Sequence, residues 1–131
     1  NYRCGTGHSV SFVGNVHEGP HALNGRNTTL MRPGMIVTDE PGVYETDLVG
    51  IRIENELVCV HKADNQYGTF LGFEPLMFVP IATSPIVPGV LTKDELDWLN
   101  NYHRQVFEKL APRLNDEERE WLAKKCAAIG C

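Results

Sequence analysis

Met35 to Val60, MIVTDEPGVYETDLVGIRIENELVCV, decides the fold. It reads as two strands joined by a Pro-Gly turn and a short excursion, and it carries two candidate site carboxylates, Glu40 and Glu54. Side chains alternate across a strand, so Ile51 and Ile53 are expected on one face and Arg52, Glu54 and Glu56 on the other. An ionised Glu beside an apolar strand costs free energy to desolvate unless a cation, a metal or strong hydrogen bonds offset the loss. The charged face therefore needs a partner.

Working outward toward the start, GTGHSVSFVGNVHEGPH supplies His8, His17 and His21 in a Gly-rich setting that permits close backbone approach. Val10 to Val16 is expected to form a short irregular strand. One imidazole with two carboxylates is a ligand set suited to divalent manganese, zinc, cobalt or iron. The same residues also fit a His-rich surface loop and two ordinary strand-end glutamates, because no compact motif such as HExxH is present. Between the two regions, Asn24-Gly25 and Pro33-Gly34 carry turn chemistry.

Toward the other end, His61 to Gly68 reads as a polar turn in which His61 is solvated. Thr69 to Ile81 reads as a third strand, with Pro75 at an edge or bend. The connector SPIVPG (84–89) cannot continue a ladder. Thr92 with Glu95 forms a capping box, and Leu96, Leu99, Tyr102 or His103, Val106 and Leu110 recur at helical spacing until Pro112. Asn115 with Glu118 caps a second helix expected to bury Trp121, Leu122, Cys126 and Ile129 and to end at Gly130. This stripe is core against the sheet or a dimer partner, and His103 within it reads as structural.

The 131 residues are 42% hydrophobic, enough for one domain with a core and too few for two. A net charge of -5 and the lack of a basic run argue against nucleic acid or an anionic membrane as partner. No apolar run approaches the roughly 20 residues needed to span a bilayer. Cys4, Cys59, Cys126 and Cys131 show neither metal spacing nor disulfide density, so free thiols in a cytoplasmic protein are expected, with Cys59 a buried strand residue. GTGHS lacks the third Gly and the strand-to-helix context of a nucleotide site.

Three blocks, GTGHSVSFVGNVHEGP, PGMIVTDEPGVYE and GIRIENELV, resemble in order and spacing the signature blocks of the pita-bread metallopeptidases, specifically the X-Pro aminopeptidase (aminopeptidase P) branch. FLGFEPLMFVPI and the helical tail after it are also similar to that branch. The resemblance implies an α+β fold: the C-terminal half of a pita-bread (creatinase/aminopeptidase-like) domain, a curved antiparallel sheet covered by helices. Residues 1–131 would be a single fragment, with metal-site strands and loops in 1–81 and a helical tail in 82–131. The chain begins inside a signature block without Met, as a fragment would.

The resemblance also implies roles. His8, Glu40 and Glu54 match metal ligands, with Glu54 bridging two divalent ions, manganese first and zinc or cobalt as alternatives. Glu40 also handles the proton of the attacking water, and His17 matches a histidine that donates to the peptide carbonyl. Arg52 holds the carboxylates from behind, while His21 and Tyr44 line the pocket. Cys4 stands where the related enzymes usually carry a His. Two aspartates that complete the family's site have no match here, so the isolated chain is expected to be inactive. The implied substrates are peptides with proline at the second position, and the implied assembly is a homodimer. A prolidase-type dipeptidase and a non-catalytic pita-bread binding module are the alternatives. The geometric expectation is that His8 Nε2 and the two carboxylates converge within roughly 4 to 6 Å.

Overall fold

The structure, a computed structural model, describes residues 4–130, so the free thiol expected at Cys131 lies outside the described residues. Two compact units divide the chain, Asn1–Met77 and Phe78–Cys131. Among the described residues both helices belong to the second and every strand to the first, which makes the chain α+β.

In the first unit the stretch 35–60 forms four strands where two were expected: β1 (Ile36–Asp39), β2 (Gly42–Glu45), β3 (Val49–Arg52) and β4 (Asn55–Asn65). They make one long hairpin with a break at the same level in both arms. β1 pairs antiparallel with β4, ending at Asp39 opposite Asn55, and β2 pairs antiparallel with β3, starting at Gly42 opposite Arg52. Glu40 and Pro41 occupy one break, Ile53 and Glu54 the other. Pro41 has no N–H to donate, so the ladder cannot run through it, and Ile53 N–H reaches only the Pro41 carbonyl at 3.4 Å. Asp47, at φ 57°, turns the chain between β2 and β3.

β5 (Gly68–Pro75) pairs with β4 to complete a three-stranded sheet of order β1-β4-β5. It stops at Pro75, whereas the apolar pattern predicted a strand to Ile81. His61–Asn65, expected as turn, instead continues β4 past a bulge between His61 and Ala63, and only Gln66 and Tyr67 lie between the paired ends Asn65 and Gly68. Exposed cross-links hold this extension: Lys62 Nζ to Glu74 Oε1 at 2.9 Å, His61 Nε2 to Asp64 Oδ2 at 2.8 Å, and the Thr69 hydroxyl donating to Asp64 at 2.7 Å. Val10 to Val16 is not a strand. Ser11 N–H folds back to the Asn15 carbonyl at 3.3 Å, Gly14 takes φ 151°, and Phe12 is wholly exposed.

In the second unit, α1 (Lys93–Leu110) starts at the Thr92–Glu95 capping box and passes into a short 3-10 turn (Ala111–Arg113) at Pro112. α2 (Asp116–Lys125) starts at the Asn115–Glu118 capping box. Tyr102, Val106 and Leu122 form the core, flanked by Phe78, Ile81, Phe107, Leu110, Leu114 and Cys126. The stripe of α1 thus packs on α2 and on the segment before it. That segment is tied down by side chains: the Tyr102 hydroxyl donates to the Val79 carbonyl at 2.9 Å, and His103 Nε2 accepts from Ile81 N–H at 3.1 Å. His103 is fully buried, and desolvation lowers its pKa below the ordinary histidine value. α2 ends at Cys126, short of the expected Gly130. Ile129 beyond it exchanges two hydrogen bonds with the Asn100 side chain, both 3.0 Å. Trp121, expected in the core, is 56% exposed, because neighbours on a helix cannot share a face and Leu122 has taken the inward one. No helix among the described residues is long and apolar enough to cross a membrane.

Candidate metal centre

The opening segment is laid directly along β1. Thr38 N–H donates to the His8 carbonyl at 2.9 Å, Glu40 N–H to the Thr6 carbonyl, and Ser9 bridges to Val37. Gly7 makes the approach possible: a Cβ there would lie 1.9 Å from the Thr38 carbonyl oxygen, so no other residue fits without displacing backbone. His8 is thereby carried to Glu40, 32 positions later in the chain, with its Nε2 2.8 Å from Glu40 Oε1.

The other face of each group is fixed. His8 Nδ1 is 3.0 Å from the Ser9 carbonyl, which can only accept, so Nδ1 carries a hydrogen and Nε2 is the nitrogen turned to the carboxylate. A ring nitrogen and a carboxylate oxygen that close share either a proton or a metal ion. Divalent ions bind N and O donors at about 2.0–2.2 Å, which sets neighbouring donors roughly 3 Å apart, so the pair fits an ion. The Thr38 hydroxyl accepts from His8 N–H at 3.1 Å and donates to Glu40 Oε1 at 2.9 Å, locking both partners. Glu40 is 8% exposed and Thr38 3%.

Arg52 balances the charge. Its Nη1 is 3.0 Å from Glu40 Oε2 and 3.9 Å from Glu54 Oε2, so Glu54 joins the cluster through the guanidinium. Arg52 Nε donates to the Tyr44 hydroxyl at 2.7 Å. That hydroxyl first, with Glu40 and Glu54 after it, holds the guanidinium pKa above its ordinary value.

His17 stacks on His8 with ring centroids 4.1 Å apart and tilted by 40°, and it is exposed. His21 is buried, with Nε2 donating to the Ile36 carbonyl at 2.7 Å, which ties its loop to β1. The structure therefore brings His8, His17, Glu40, Arg52 and Tyr44 into one chain of contacts and attaches Glu54 at its far end. Among the described residues no group of three or more His, Cys, Asp or Glu side chains is placed to hold a metal by itself. Sequence reasoning missed Thr38. Its signal was a hydroxyl two residues before Glu40, hence on the same strand face.

The signature of metallopeptidase family M24 matches residues 1–61, and that of the C-terminal region of peptidase M24 matches residues 69–129. Aminopeptidase P2 of Arabidopsis thaliana is 48% identical over 128 residues, covering 92% of this chain and 18% of that protein. Aminopeptidase P1 of Lotus japonicus is 43% identical, covering 98% and 20%. Among solved structures, an X-prolyl aminopeptidase from Caenorhabditis elegans, described as a cytosolic enzyme with a di-nuclear active site, matches at 39% identity with a TM-score of 0.83, covering 95% of this chain and 21% of that one. The chain thus spans about a fifth of the length of the relatives it matches.

Proposed function

The chain belongs to metallopeptidase family M24, and on that premise we propose that residues 1–131 are one fragment of the catalytic domain of an aminopeptidase that removes the N-terminal residue preceding proline. The metal-site strands and loops, expected in 1–81, lie in the unit that ends at Met77, and the helical tail, expected in 82–131, takes in Phe78–Ile81 as well. The observation that carries this reading is His8 Nε2 set 2.8 Å from Glu40 Oε1, with both partners fixed from behind. Relatives named aminopeptidase P support the substrate class, and a neighbour with a di-nuclear active site supports two ions.

His8, Glu40 and Glu54 would hold two divalent ions, manganese first, together with two aspartates from elsewhere in the parent protein. When bound, the ions supply Lewis-acid chemistry, polarising the scissile carbonyl and acidifying a water. The chain's own groups do the rest. The Ser9 carbonyl keeps His8 in the tautomer that binds through Nε2. Thr38 and Arg52 orient Glu40, which takes a proton from the attacking water and returns it to the leaving amine. His17, exposed beside His8, donates an N–H to the peptide carbonyl. His21 and Tyr44 form walls. Peptides with proline second are the substrates, and the parent works as a cytoplasmic homodimer.

The test uses the full-length parent. Cleavage of Xaa-Pro peptides should disappear on chelation, return with manganese, and fall by at least about a hundredfold in Glu54→Gln, beyond what loss of an outer-shell partner costs. Cleavage confined to dipeptides would make the parent a prolidase-type enzyme. A metal-free, inactive parent would make it a binding module.

A further inference from the structure

Four residues share one face of the β2–β3 ribbon: Tyr44 lies directly opposite Gly50, and Gly42 directly opposite Arg52. The Tyr44 ring covers both glycines. A Cβ on Gly42 would sit 2.7 Å from Tyr44 Cε2 and from its hydroxyl oxygen, and a Cβ on Gly50 would sit 3.0 Å from Cδ1 and 3.3 Å from Cε1. Unbonded carbons prefer about 3.5–4.0 Å, so a Cβ at Gly42 would displace the ring, while one at Gly50 would press it aside by a few tenths of an ångström. Backbone conformation does not explain the glycines. Neither is among the residues with positive φ, although Pro41-Gly42 reads as a turn in the sequence. Gly42 instead opens β2, and what approaches it closely there is the Tyr44 ring.

The ring over these glycines ends at Arg52. Its hydroxyl accepts from Arg52 Nε at 2.7 Å, which leaves Nη1 turned to Glu40 Oε2 and Glu54 Oε2. A ring standing up from the ribbon would carry the hydroxyl away from the guanidinium. We propose that Gly42 and Gly50 are positioning residues, a paired bare floor that lays the Tyr44 ring down and so fixes the Arg52 guanidinium between the two carboxylates. The kinetic consequence rests on the peptidase reading above, and the geometric one does not.

In the full-length parent, Gly42→Ala should lower kcat/KM by about tenfold or more, mostly through kcat, as loss of an outer-shell partner does, and Gly50→Ala, whose Cβ meets the ring less closely, by a smaller factor. In a Tyr44→Ala background, where no ring remains to displace, the same substitutions should change kcat/KM by less than about twofold. Equal losses in both backgrounds would overturn the proposal. Crystal structures give the second readout. Gly42→Ala, whose Cβ would meet the hydroxyl itself at 2.7 Å, should move the Tyr44 hydroxyl away from Arg52 Nε, and an unchanged contact overturns the floor. If the unmutated parent cleaves nothing, the peptidase reading fails while the crystallographic result still decides this one. Should Gly42→Ala fail to fold, the Tyr44→Ala/Gly42→Ala double variant is expected to fold, and its failure counts against the idea.

Discussion

The interiors of the two units are built from opposite materials. Among the described residues of the first, the buried side chains are Ser9, His21, Thr38 and Glu40, with Val37 and Cys59 the buried hydrophobics. The described residues of the second bury Leu96, Leu99, Tyr102, Val106, Ala111 and Leu122, with the polar His103 among them. The first unit also leaves Val43, Val49, Ile51 and Ile53 between 45% and 62% exposed on β2 and β3 and just beyond. Apolar burial at about 25 cal/mol per Å² is therefore concentrated in the second unit, while the first is held by strand pairing and by the polar contacts that assemble the site. Substitutions in one unit should register as lost packing and in the other as lost hydrogen bonding.

The contrast is broken most directly at Leu122, 2% exposed and in contact with Tyr102 and Val106. Leu122→Ala should cost about 2–5 kcal/mol through transfer and cavity terms, read as a fall in urea midpoint at unchanged m-value. A cost under 1 kcal/mol would mean that the second unit does not rest on this core. The matching change in the first unit is Thr38→Val, close to isosteric. It removes a donor to Glu40 Oε1 and an acceptor for His8 N–H. The expected loss is about 1–3 kcal/mol, the range for leaving buried groups unpaired, together with weaker manganese binding by calorimetry in the full-length parent. Unchanged metal affinity would show that Thr38 serves folding alone.

The same division explains what could be read from the sequence. Both capping boxes and the α1 stripe were legible because each partner lies within four residues of its mate, and the two carboxylates stood out as charges beside an apolar strand. The break at Glu40–Pro41 was not read as a break in both arms, since its twin at Ile53–Glu54 becomes visible only when register is known. Gly7 and Thr38 depend on contacts some thirty positions apart, which no local pattern records. His61–Asn65 misled because its polar residues face solvent on both sides of a two-stranded extension, so the alternation that marks a half-buried strand is missing. Trp121 is exposed because it sits beside Leu122 on α2 and so on another face, which apolar composition alone does not reveal.

The smallest effect belongs to Thr92, and it shows how local the second unit's signals are. Its hydroxyl accepts from Glu95 N–H at 3.3 Å, and its own N–H donates to Glu95 Oε2 at 2.8 Å, so the box closes within one turn. Thr92→Ala should cost about 1 kcal/mol, the usual value of such a cap, visible as a modest drop in thermal midpoint. The Thr92 side chain first, and its backbone N–H second, hold the Glu95 carboxyl below its ordinary value of 4.5. A carboxyl depressed by folding binds its proton more weakly in the folded than in the unfolded chain. Its contribution is therefore present above the unfolded value and is lost as pH falls through the folded one. The stability difference between the parent chain and Thr92→Ala should accordingly narrow on acidification below 4.5 and stay constant above it. A gap independent of pH would leave the Thr92 hydroxyl as an acceptor for Glu95 N–H without any role for the carboxylate.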